Sequence, residues 1–181
     1  MSKKRVERLV VGADDSNHAG TSKGEIIVAT FSFLPEDALV KRFPNVRDCE
    51  ETEFWLKSPN RDYRYALLTA RGYRHGNQNL IEVVPFLIKG YLNEQDFDVK
   101  NLSIFLDGRL VRGNRGKMRE VLFGFRGIES VVVDNFIKKK LTSKGRIEKH
   151  PECPAVVYHA DVLAHQLYCA TLEDPKLIFR D

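Results

Sequence analysis

The most constraining feature of this 181-residue chain is a strand-like run, a helix-spaced segment and a second strand-like run in direct succession. Residues 102–106 form a short, continuous, mostly apolar run capped by Asp107-Gly108, as expected for a strand buried on both faces. Residues 130–133 form a β-branched run ending at Asp134. Between them, Met118, Val121, Leu122 and Phe125 recur at helical spacing over 114–125, with Gly127 as a C-terminal stop. This order predicts parallel neighbouring strands joined by a right-handed crossover, and hence an α/β sheet.

Upstream, the pattern is antiparallel. Residues 9–13 are small and apolar and end at Asp14-Asp15, followed by turn formers. Residues 25–33 are β-branched and aromatic, and the short connection predicts a hairpin with the first strand. Residues 63–70 alternate as a third strand, and 46–56 read as loosely helical with Phe54 and Trp55 as packing residues. Residues 79–92 are apolar and helix-length, but Pro85 is expected to start, kink or divide that helix. A last helix follows Pro154, carrying Val157, Leu163, Ala164 and Leu167, and ends near Glu173-Asp174-Pro175.

Composition sets the class. With 43% hydrophobic and 30% charged residues, the chain is expected to bury a core as one domain over 1–181. Cys49, Cys153 and Cys169 are odd in number, widely spaced and without CxxC spacing, which argues against a disulfide framework or a four-ligand zinc site. No signal peptide and no membrane-length apolar run are read, so the expected location is cytoplasmic. The net charge of +4 is compatible with a nucleic-acid partner without requiring one.

The carboxylates carry the chemistry. Asp14 and Asp15 end the first strand, Asp107 ends the fourth, and Asp161 lies near the start of the last long helix. Hard divalent cations take carboxylate oxygens, and two such ions about 4 Å apart activate water and stabilise the leaving oxygen in phosphodiester cleavage. Each acid also has an ordinary reading: an Asx turn for Asp14-Asp15, a strand-closing turn at Asp107, a helix N-terminal acid at Asp161. Asp134 and Glu25 are weaker competitors for the same role.

The run Val10-Val11-Gly12-Ala13-Asp14-Asp15-Ser16-Asn17-His18-Ala19-Gly20 resembles the first-strand motif of type 2 ribonucleases H. Leu106-Asp107-Gly108 resembles that family's later Asp-Gly strand end, and His159-Ala160-Asp161 its final acid just ahead of an apolar helix. The resemblance implies an RNase H-like mixed sheet, three antiparallel strands followed by parallel strands, with helices on both faces and strands one and four adjacent. It implies Asp14, Asp15, Asp107 and Asp161 as catalytic metal ligands for Mg²⁺ or Mn²⁺, with a two-metal site as one form. The implied activity is hydrolysis of phosphodiester bonds in nucleic acid, including RNA in RNA/DNA hybrids.

This chain departs from the family pattern in three places. Asp15 stands where the family has Glu, Asn17-His18-Ala19 replaces a glycine-arginine-glycine loop, and 162–168 lacks the serine-rich helix motif. The reading is therefore a divergent member. His18 and the run Lys138, Lys139 and Lys140 are candidate nucleic-acid contacts. His159 is a candidate for proton transfer, and Tyr158 and Tyr168 are candidates for stacking on a base or sugar. One alternative is a catalytically inactive module of the same fold that binds nucleic acid or protein. A nucleotide-binding protein of the actin and sugar-kinase superfamily is a second, disfavoured by the absence of a glycine-rich phosphate loop.

Overall fold

Alternating burial along one long strand organises the molecule. The structure, a computed structural model, describes residues 4–16, 25–43, 47–68, 78–107, 113–136 and 152–173. In β1 (Lys4–Asp15), Leu9, Val11 and Ala13 enter one hydrophobic cluster while Val10 enters another. Successive side chains of a strand point to opposite faces, so β1 divides two cores and must lie inside the sheet.

It does. β2 (Glu25–Ser32) pairs antiparallel with β1, and β4 (Arg61–Leu68) pairs antiparallel with β2. β5 (Phe97–Asp107) pairs parallel with β1, and β6 (Ser130–Phe136) pairs parallel with β5. The order is β4-β2-β1-β5-β6, so the first strand of the sequence neighbours the strand that ends at Asp107. A second, two-stranded sheet joins β3 (Val40–Arg42) to β7 (Glu152–Pro154); neither strand was legible in the sequence.

Helices cover both faces. On one side lie α2 (Gln78–Asn93) and α3 (Asn114–Leu122). α2 presents Leu80, Ile81, Val84, Leu87, Ile88, Tyr91 and Leu92 to the core, a stripe with helical period. Pro85 neither starts nor divides it: the helix runs through. A mid-helix proline costs about 3 kcal/mol, and the packed stripe on both sides of Pro85 offsets that loss. α3 ends earlier than the apolar spacing suggested, because Gly124 adopts a left-handed conformation (φ 78°); Met118 and Leu122 are buried but Val121 is exposed.

On the opposite side lie α1 (Cys49–Leu56) and α4 (Ala155–Glu173). The two expected packing residues of α1 part company: Trp55 is buried while Phe54 is 75% exposed. α4 sits against the sheet at Gly12. A Cβ built there would lie 2.2 Å from the Val156 carbonyl carbon, so only glycine permits this approach. The Thr30 hydroxyl, on β2 beside Gly12, donates to the Val156 carbonyl at 2.7 Å. β5 also differs from expectation. Its burial alternates rather than being complete, since α4 lies mainly over β1 and β2.

Candidate metal centre

Because Val10 and Gly12 face α4, the strand alternation places Asp14 on that face as well. The parallel register pairs Ala13 with Leu106, so the next step of the ladder sets Asp14 beside Asp107. Leu106 belongs to the α2 side and Phe105 packs on the α4 side. Asp107 therefore shares the Asp14 face, one strand spacing of about 4.8 Å away. Asp14 is 4% exposed.

Local hydrogen bonds fix this strand end. The Asp15 amide donates to Asp14 Oδ1 at 2.9 Å. The Ser16 amide donates to the Ile26 carbonyl at 2.9 Å, and the Ile26 amide donates to Ser16 Oγ at 2.8 Å. Ser16 thus closes the β1–β2 ladder one residue past the carboxylates, which keeps Asp14 from swinging out.

Asp15 falls on the other parity, towards α2, the side that also holds Glu25. Glu25 is buried and accepts a hydrogen bond from Asn79 Nδ2 at 2.5 Å. Its carboxylate sits at the first turn of α2, where the helix dipole favours negative charge. Glu25 therefore anchors α2 on the face away from Asp14. Asp134 pairs in register with Phe105 on β6, one strand beyond β5, and forms an ion pair with Arg115 at 3.7 Å.

Asp161 lies within the last helix, in its first half, and not just ahead of it as the resemblance implied. α4 begins at Ala155, so Asp161 is its seventh residue, and its carboxylate meets the Arg47 guanidinium at 3.2 Å. Among the described residues, no three His, Cys, Asp or Glu side chains come together as a set able to hold a metal ion. The pair that the fold does bring together is Asp14 and Asp107. His18, Lys138, Lys139 and Lys140 lie outside the described residues, as do Arg109 and Arg112.

His159 is a packing residue. It is 2% exposed, stacks on Trp55 with ring centroids 4.4 Å apart, and its Nδ1 lies 2.8 Å from the Thr52 hydroxyl. Burial pushes its pKa down to about 3, with the neighbouring Asp37 charge opposing and Arg61 assisting that shift. A neutral, enclosed imidazole is unsuited to proton shuttling at neutral pH. Tyr158, stacked on Phe43, and Tyr168 are buried too, so neither offers its ring to a base.

One polar group that the sequence reading passed over is Asp37. It is 1% exposed, accepts from Ser32 Oγ at 2.6 Å, and accepts two hydrogen bonds from Arg61 at 2.7 and 3.0 Å. Burial alone would raise its pKa, but the bonds from Arg61 and Ser32 and the Arg61 charge hold it below the ordinary value. The Arg61 guanidinium also lies over the Trp55 ring at 5.1 Å, so this pair is structural.

No protein-family model matches the chain, and no curated protein matches it. Among solved structures it is similar to the complex of PCNA and RNase HII from Archaeoglobus fulgidus, with a TM-score of 0.53 and 16% identity over 96% of this chain and 79% of that one. Ribonuclease H2 from Pyrococcus horikoshii OT3 aligns with a TM-score of 0.48 and 16% identity over 94% of this chain and 78% of that one. The first of these establishes the fold: a mixed five-stranded α/β sheet of the RNase H-like kind, as the strand-end motifs implied.

Proposed function

We propose that this chain is a divalent-metal-dependent, nuclease-like protein of the cytoplasm that acts on the phosphodiester backbone of nucleic acid. The observation that carries the reading is that Asp14 and Asp107, far apart in sequence, end adjacent parallel strands on one face of an RNase H-like sheet. Carboxylates at neighbouring strand ends on one face offer oxygen ligands to a hard cation such as Mg²⁺ or Mn²⁺. A bound ion would supply an acidified water and neutralise charge at the attacked phosphate. Asp14 and Asp107 would hold it, with Asp161 assisting. His18 and Lys138, Lys139 and Lys140 would contact backbone phosphates.

Cleavage assays on RNA/DNA hybrids, single strands and branched DNA in Mg²⁺ or Mn²⁺ test the reading and choose the substrate. Loss of cleavage in Asp14→Asn and in Asp107→Asn supports it, and unchanged cleavage in both refutes it.

One observation favours a second reading, an RNase H-fold module that binds nucleic acid or protein without cutting. Asp161 is engaged by Arg47, and the described residues hold no three-ligand set. A wild-type protein that retains a labelled oligonucleotide intact in both metals would decide for that reading.

A further inference from the structure

We infer that Arg47 is a built-in counter-cation of the proposed metal site: its guanidinium occupies Asp161 and must be displaced before that carboxylate joins Asp14 and Asp107. The inference rests on the reading of those two residues as metal ligands.

The side of α4 on which Asp161 lies follows from helix geometry. His159 faces α1, where it meets Thr52 and Trp55. Two residues further along an α-helix is a rotation of about 200°, so Asp161 lies on the opposite flank of α4 from His159. α1 lies towards β4, since the Arg61 guanidinium at the start of β4 sits over the Trp55 ring at 5.1 Å. Asp161 is therefore on the β5 side of α4, the side on which Asp107 ends its strand. It is also one turn beyond Val157, whose amide abuts Gly12.

Arg47 is delivered to this position by its neighbour. Asp48 caps α1 by accepting from the Glu51 amide at 2.9 Å, and its own amide donates to the Tyr158 hydroxyl at 3.3 Å. Tyr158 and Asp161 are three residues apart and share a helix face. Anchoring Asp48 on Tyr158 thus lays the preceding Arg47 over Asp161. A guanidinium stays charged at any ordinary pH, so it neutralises Asp161 permanently unless a stronger cation or a competing anion takes one of the partners.

Calorimetric Mn²⁺ titrations of the whole chain test the latch. The Arg47–Asp161 pair is partly exposed, at 38% and 23%, and pairs of this kind typically contribute up to about 1 kcal/mol, or roughly fivefold in an affinity. Arg47→Gln is expected to bind Mn²⁺ about fivefold more tightly than wild type. Arg47→Lys, which keeps the charge, is expected to stay close to wild type. Adding Asp161→Asn to Arg47→Gln is expected to remove the gain. An Arg47→Gln protein with unchanged or weaker Mn²⁺ affinity overturns the latch, and leaves the metal reading standing if wild-type binding still requires Asp14. No Mn²⁺ binding by any of these proteins overturns both.

Discussion

His159 makes folding stability depend on pH in a calculable way. In the folded chain its pKa is pushed down to about 3 by burial, against an ordinary value of 6.5. Between those two values the unfolded chain binds a proton that the folded chain does not, so folding is progressively disfavoured as pH falls below 6.5. The contribution is fully present above pH 6.5. The slope is about 1.4 kcal/mol per pH unit, which amounts to about 2 kcal/mol between pH 6.5 and pH 5. Asp37 does not interfere in this window: its pKa is held below the ordinary 3.8, so the stability that its pairing contributes is lost only at more acid pH. The comparison is with a Thr52→Val/His159→Phe protein, which keeps a ring against Trp55 and removes both hydrogen-bonding partners together, a change that is close to neutral for buried pairs. Urea unfolding at 25 °C is followed by fluorescence of Trp55, the chain's one tryptophan. Relative to the double variant, wild type is expected to lose about 2 kcal/mol between pH 7 and pH 5, whatever their offset at pH 7. Parallel pH profiles would refute the claim that His159 is buried in its neutral form.

Two other consequences concern packing. Gly12→Ala drives a methyl group into the Val156 carbonyl and breaks the seat of α4; a loss of roughly 3 kcal/mol is expected by urea unfolding, in the upper range for overpacking. Phe54→Ala is expected to change stability by no more than about 0.5 kcal/mol, whereas Trp55→Ala should cost about 3–5 kcal/mol, and thermal melts of the two proteins side by side check the assignment of faces on α1.

The parallel half of the sheet was legible because continuous apolar runs with a helix-spaced segment between them admit few other arrangements. The strand-end carboxylates were legible too, since Asp14-Asp15 and Asp107 each close a buried run. What escaped the sequence was set by distant contacts. β3 and β7 are three residues each and pair across more than a hundred residues, leaving no local period to detect. Pro85 signalled a break that tertiary packing of α2 overrides. Phe54 and Trp55 are adjacent aromatics, and hydrophobicity alone does not say which one faces inward; the Arg61 and His159 partners of Trp55 decide it. The last helix was legible from Pro154 and the apolar spacing after it, and α4 does begin at Ala155; that Arg47 reaches Asp161 was not, because the two are more than a hundred residues apart in sequence.

The central claim is that Asp14 and Asp107 act together on one cation. Calorimetric titration of Mg²⁺ into wild type, Asp14→Asn, Asp107→Asn and the protein carrying both substitutions measures it most directly. Each single substitution should abolish most of the wild-type heat, with the combined change adding little, because one shared site is lost either way. Wild-type affinity surviving in both single variants would contradict it.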